Sequence, residues 1–340
     1  MQNEPYEKKD FDMTAGGNPA APSLGGARAV FSKLGLSATL MLASASVVQV
    51  LLVRLLNRAV PGWTAWPYSM WLLGFGVLYV VSIPAGLLLT RRMSVLPPEK
   101  NAMTLGRYLC ILLICIFMME AGNLVGLAIQ SLMESIVGGM PENPIEVFAT
   151  DDSLPLRILF LVILAPLIEE FVFRRVFIDR MRPYGEKLAV VTSALMFGLF
   201  HGNLSQMFYA FALGLVFGYV YLRTGKLRYS VGLHMFINFF GGVLSVELTK
   251  WAQPGLEAAQ DPNTAVLTPG VVALSIYSIA LLGCAVAGLV LLCVRSRRVY
   301  FEPTPLEVPR GQRFSVSWVN VGMLLFLALC VASVVMTYVG

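Results

Sequence analysis

The sequence predicts an all-α protein, a polytopic bundle of transmembrane helices. Three observations carry that prediction. The chain is 57% hydrophobic and only 13% charged, with mean hydropathy +0.72, whereas a soluble domain carries about 25% charged residues. Apolar runs of roughly 20 residues, the length that crosses a bilayer, recur along it. Lysine and arginine collect in every second loop between those runs.

Residues 1 to about 30 are polar, mixed in charge and rich in Gly, Ala and Pro. Such a segment has too few large apolar groups to fold alone and reads as a disordered cytoplasmic tail. Apolar runs follow near 34–56, 68–89, 107–132, 156–178, 188–203, 205–222, 229–248, 271–294 and 316–339. That makes about nine spans, or eight if the two runs around Gly202 and Asn203 merge. A cleaved signal peptide is not expected, because Ala43-Ser44-Ala45 falls inside the first apolar run. The five cysteines, Cys110, Cys115, Cys284, Cys293 and Cys330, lie in apolar runs without paired loop spacing, so packing is their expected role. Ala210, Gly214 and Gly218 form a small-residue face at helical spacing, suited to close helix packing.

The loops orient the chain. Basic residues precede span one (Arg28, Lys33) and lie between two and three (Arg91, Arg92, Lys100), after four (Arg174 to Lys187), after six (Arg223, Lys226, Arg228) and after eight (Arg295 to Arg313). The segment 133–155 carries Glu134, Glu142, Glu146, Asp151 and Asp152 with no lysine or arginine. The positive-inside rule then puts the N-terminus in the cytoplasm and, with an odd number of spans, the C-terminus outside. The net charge of +5 is thus a topology signal, and no nucleic-acid partner is expected. A bacterial plasma membrane is the expected location.

The chemistry is concentrated in a few polar residues inside these runs. Ionisable groups within a bilayer cost several kcal/mol each and are read as functional by default. In Glu169-Glu170-Phe171-Val172-Phe173-Arg174, Glu170 and Arg174 stand four residues apart with the acid first, the favoured order for an intrahelical ion pair. Glu169 projects about 100° away and is the candidate general base, since an apolar setting disfavours its charged form. Snorkelling of both acids to a membrane interface is the bland alternative. Phe197 and His201 share one helical face, with Asn203 and Gln206 close behind, and His234 and Asn238 share another. The chain has two histidines, and both fall in spans near that glutamate doublet.

Glu-Glu-x-x-x-Arg, Phe-x-x-x-His and His-x-x-x-Asn, in this order on successive spans, resemble the CPBP intramembrane proteases, also called the CAAX-processing or Abi family. The match covers about residues 155–245 and substitutes no motif position. The resemblance implies a core of roughly four motif-bearing helices and divides the chain into a tail (1–30), N-terminal helices (31–150), a protease core (151–250) and C-terminal helices (251–340). It also implies intramembrane hydrolysis of a peptide bond in a peptide or protein substrate. Glu169 with His201 would activate water, and His234 and Asn238 would donate to the oxyanion. Glu170, Arg174 and Phe197 would support them. The first three and last two spans fall outside this core.

Three alternatives stand beside that reading. Glu169, His201 and His234 could form a His₂Glu zinc site with an open position, but each sits on a different helix and Asn238 is a poor zinc ligand, so no cofactor is expected. A proton-coupled transporter also places Glu, Arg and His within spans, although no internal repeat is visible. A non-catalytic membrane scaffold is the third. Counting about 1.5 Å per residue from the cytoplasmic boundaries puts Glu169 at about 14 Å, His234 at about 8 Å and His201 at about 20 Å. The site is expected within the membrane and reached from the cytoplasmic half. Oligomeric state is left open.

Overall fold

The computed structural model describes residues 23–66, 68–138, 153–259 and 267–339. Most of the expected tail and most of the acidic segment 133–155 lie outside these residues. No strand occurs among them; nine helical rods make up the bundle. They are α1 (Leu24–Ala59), α2 (Ser69–Leu88), α3 (Leu105–Val137), α4 (residues 154–181), α5 (Glu186–Phe200), α6 (Leu204–Thr224), α7 (Leu227–Ala258), α8 (Pro269–Arg295) and α9 (Val321–Val339). Seven of the nine are long and apolar enough to cross a membrane. The other two are α4, which carries Arg157, Glu169, Glu170, Arg174 and Arg175, and α5, which has only 15 residues. α1 begins ten residues before the expected run, so residues 24–30 are helical and not tail.

The rods begin and end where local chemistry supplies caps. The Thr104 and Thr268 side chains accept the backbone N–H groups of Arg107 and Val271, satisfying donors that open α3 and α8. Asn203 does the same for Gln206 at 2.9 Å, which starts α6 directly after the break at Gly202. α6 stops at Gly225, whose left-handed backbone (φ +60°) lies against the backbone of Pro98 and Glu99. Only glycine combines that conformation with such an approach.

All the basic loops described meet at one end of the bundle. Leu96 N–H donates to Asp179 O, Asn101 N–H to Thr224 O, and Val308 N–H to Tyr184 O. Arg180 donates to Thr90 O and Arg182 to Pro97 O. Buried Glu186 there gathers Arg182 at 3.0 Å and Arg223, and accepts Glu302 N–H. The alternation of basic loops along the sequence is therefore an alternation of ends in space.

Two apolar clusters fill the interior. One joins α1, α4, α5 and α9 through Phe31, Leu34, Phe173, Phe177, Met196 and Phe326. The other joins α3, α6, α7 and α8 through Cys115, Met119, Leu213, Phe217, Leu233 and Ala285. The expected small-residue face of α6 seats α5, since Gly214 lies against Ala194 and Gly218 against Val190. All five cysteines are unpaired. Large apolar side chains left exposed, such as Leu51 and Leu55 on α1 and Ile276, Ile279 and Leu282 on α8, mark faces suited to lipid.

α1 and α9 cross at Gly35 and Gly322, where a Cβ on either residue would run into the other helix's backbone. Gly322 N–H also donates to Ser32 Oγ at 3.0 Å. Gly322→Leu is expected to force the helices apart and destabilise the protein by about 1–3 kcal/mol. Gly283→Leu, at an open position on α8, is expected to leave stability unchanged; thermal unfolding of both variants in detergent checks this.

Candidate active site

Glu170 and Arg174 are completely buried on α4 and form the expected ion pair. The guanidinium grips the carboxylate with two prongs, Nε to Oε2 at 3.0 Å and Nη2 to Oε1 at 3.2 Å. Its third nitrogen donates to Ser193 Oγ at 3.2 Å, and that hydroxyl donates to Phe173 O at 2.6 Å. Phe197 and Phe217 lie 5.0 and 6.0 Å from the guanidinium carbon, so aromatic faces cover the charge that hydrogen bonds leave.

His234, from α7, reads this pair directly. Its Nδ1 lies 3.3 Å from Glu170 Oε1 and its Nε2 lies 3.7 Å from Glu169 Oε2. The ring stacks on Phe217 at 5.2 Å and meets Phe197 edge-on at 5.7 Å. A carboxylate accepts only, so the Nδ1 hydrogen bond requires a proton on Nδ1. Nε2 then faces the free glutamate at a distance that suits an intervening water better than a direct bond.

His201 caps α5. Its Nδ1 lies 2.8 Å from Phe197 O; the carbonyl can only accept, so this nitrogen carries the proton and Nε2 is left as the acceptor of the neutral ring. The ring sits edge-on to Phe197 at 5.0 Å. Asn203 donates to His201 O at 2.9 Å and to Gln206 Oε1 at 2.8 Å, and Gln206 donates to the Tyr209 hydroxyl at 3.0 Å, which fixes the turn behind the ring. Asn238, one turn beyond His234, spends one N–H on Leu161 O at 2.8 Å and has a second N–H in reserve.

Glu169, Phe197, His201, His234 and Asn238 all line one cavity of about 1120 Å³. Glu170 and Arg174 stand behind its wall. The depth count from the sequence separated these side chains, yet the cavity is long enough to serve them all. It runs from buried Phe197 and His234 to exposed Thr249, Lys250 and Gln253. Those three belong to the last turns of α7, which continues to Ala258, ten residues past the expected end of that span. They lie at the end of the bundle away from the basic loops. The expectation of access from the basic-loop half is thereby corrected, because depth along a helix does not reveal which end of the bundle is open.

Helices outside the motif-bearing core also build the cavity: α1 contributes Gln49, α3 contributes Glu120 and Asn123, and α8 contributes Tyr277. Glu120 carries a signal in the sequence, being the one charged residue in the apolar run 108–133. Gln49 and Tyr277 carried none, since single polar residues in long apolar helices are common.

The zinc alternative finds no fit in this donor set. Among the described residues no three His, Cys, Asp or Glu side chains are arranged to hold a metal ion. The Nδ1 of each histidine is held by an oxygen, Glu170 Oε1 for His234 and Phe197 O for His201, an arrangement that orients Nε2 with or without a metal.

A polar constellation inside an apolar bundle, built around a free carboxylate, two imidazoles and an amide, defines a membrane-embedded candidate catalytic site. Residues 151–240 match the family model described as type II CAAX prenyl endopeptidase, Rce1-like; over this segment the chain is similar to that family. The chain is 26% identical over 137 residues to a membrane peptidase candidate, YdiL, of Bacillus subtilis (strain 168), a match covering 37% of this chain and 55% of the relative. It is 27% identical over 123 residues to the membrane-embedded CAAX protease MroQ of Staphylococcus aureus (strain USA300), covering 34% and 50%. The chain thus spans about half the length of the curated relatives it matches. No solved structure matches it significantly.

Removing one member of the buried pair leaves an uncompensated charge. Arg174→Met is expected to cost about 3–5 kcal/mol. Glu170→Gln combined with Arg174→Met is expected to lose less than Arg174→Met alone, a coupling that thermal unfolding of the single and double variants measures.

Proposed function

We propose that this chain is an intramembrane endopeptidase that hydrolyses a peptide bond of a membrane-associated peptide or protein with a glutamate-activated water. The observation that carries this reading is Glu169, which faces His234 across 3.7 Å inside the cavity while its neighbour Glu170 is committed to Arg174 and to Nδ1 of His234. One carboxylate is structural and the other is available to a water.

In the proposed cycle Glu169 takes a proton from that water as its oxygen attacks the scissile carbonyl carbon, and His201 Nε2 orients the water by accepting its second hydrogen bond. The negative charge moves to the carbonyl oxygen, where Asn238 offers its second amide N–H. His234 can donate there from Nε2 only when the ring carries two protons, since Nδ1–H is held by Glu170. Each oxyanion donor is worth about 3 kcal/mol. The carbon–nitrogen bond then breaks, and the proton held by Glu169 passes to the departing amine. The protein's part is to position these groups and limit bulk water, which the apolar walls of Leu161, Ala165, Phe200 and Leu213 support.

A cavity of about 1120 Å³ exceeds the roughly 300–1,000 Å³ of small-molecule pockets and suits a stretch of peptide. With the basic loops in the cytoplasm, the N-terminus is cytoplasmic and the mouth at Lys250 and Gln253 opens toward the outer side of a bacterial plasma membrane. The substrate approaches from that side or from the surrounding lipid.

The test is turnover of fluorogenic membrane peptides by the purified full-length chain in liposomes. Glu169→Gln is expected to lose on the order of 10²- to 10⁴-fold in rate and Asn238→Ala on the order of 10²- to 10³-fold, with abundance near wild type. Activity is expected to survive chelators. Full activity of Glu169→Gln excludes it as the base, and chelator-sensitive activity restored by zinc transfers the site to metal chemistry.

A further inference from the structure

The cavity holds a second carboxylate that the catalytic cycle does not use. Glu120 sits near the middle of the 33-residue α3, about 22 Å from its start. It is half-buried and lines the same cavity as Glu169. Among the described residues it has no ion pair and no hydrogen bond. The cations nearby are otherwise placed: Arg174 lies behind the wall, saturated by Glu170 and Ser193, and Lys250 stands at the exposed mouth. Tyr277 shares this part of the wall, but its hydroxyl donates to Phe240 O at 2.7 Å. Asn123, three residues further along α3, lines the cavity beside Glu120 and can help hold a polar group there.

We propose that Glu120 is a specificity-determining residue that receives a basic side chain, lysine or arginine, of the peptide substrate. This rests on the protease reading above. A carboxylate in the interior of a membrane bundle is costly without a partner and marks a ligand or substrate path. Here the missing partner is a cation, and the cavity is wide enough for a peptide to bring one. Two acids in one low-dielectric cavity also repel acidic peptides, so the same residue selects against the wrong substrate. Glu120 belongs to a helix other than those bearing Glu169, His201, His234 and Asn238. A basic side chain held there orients the peptide relative to the hydrolytic wall without touching the reacting atoms.

The experiment uses the full-length protein in detergent and labelled Leu/Ala-rich 20-residue peptides carrying one lysine, norleucine or glutamate at successive positions. Binding and cleavage are measured separately. At one position the lysine peptide is expected to bind the wild-type protein at least 10-fold more tightly than its norleucine counterpart. Glu120→Gln is expected to abolish that difference, and Glu120→Lys is expected to shift the preference to the glutamate peptide. A lysine-to-norleucine ratio that is the same in wild type and Glu120→Gln, or the absence of discrimination at every position, overturns the proposal. Lysine-selective binding without cleavage refutes the protease reading and leaves the anchor standing. Cleavage without lysine selectivity does the reverse.

Discussion

A buried arginine is costly inside an apolar bundle unless its nitrogens are engaged, and all three nitrogens of Arg174 are, with Glu170 on two sides and Ser193 on the third. The floor of the cavity is arranged around this pair. Glu170 is held on one side by Arg174 and presents Oε1 to His234 on the other, so one carboxylate both neutralises the arginine and fixes the imidazole's Nδ1. Phe197 and Phe217 touch the guanidinium and the ring of His234 together, binding α4, α5, α6 and α7 into one unit. A buried ion pair of this kind is weak evidence for net stability, because desolvation offsets much of its attraction. Its contribution is orientation: His234 is aimed at Glu169 by a group that cannot move without exposing a charge.

The apolar runs, their alternating basic loops and the ordered motifs were legible in the sequence because each depends on spacing within one helix or one loop. The pairing of Glu170 with Arg174 was legible for the same reason, being a contact four residues apart. Contacts between helices were not. Nothing in the spacing of His234 shows that its ring reaches both members of the glutamate doublet, 64 and 65 positions earlier, or that Asn238 spends a proton on Leu161. The reach of α7 beyond residue 248 was hidden because Thr249, Lys250 and Gln253 are polar and end the hydropathy signal, although they remain helical and line the mouth. The walls supplied by α1, α3 and α8 were hidden by the absence of a shared motif; Glu120 alone among them announced itself, by its charge.

The organisation also lets one chain combine a lipid-facing exterior with a polar interior. Exposed leucines, isoleucines and valines cover α1, α3 and α8, while the polar groups of those same helices, Gln49, Glu120, Asn123 and Tyr277, turn toward the cavity. The two apolar clusters meet at its edges, with Phe197 and Ala210 from one and Met119, Leu213 and Ile237 from the other. Polar residues thus concentrate where the two packed halves adjoin, a common location for binding sites.

The central claim is that Glu169 activates a water and does not itself bond to the substrate. A single turnover of a cleavable peptide in H₂¹⁸O, followed by mass spectrometry of the product and of the α4 segment, tests it most directly. Water activation predicts ¹⁸O in the new C-terminal carboxylate of the first product and none in the Glu169 side chain. An unlabelled first product with ¹⁸O in Glu169 would contradict the account, since the glutamate would then have acted as the nucleophile.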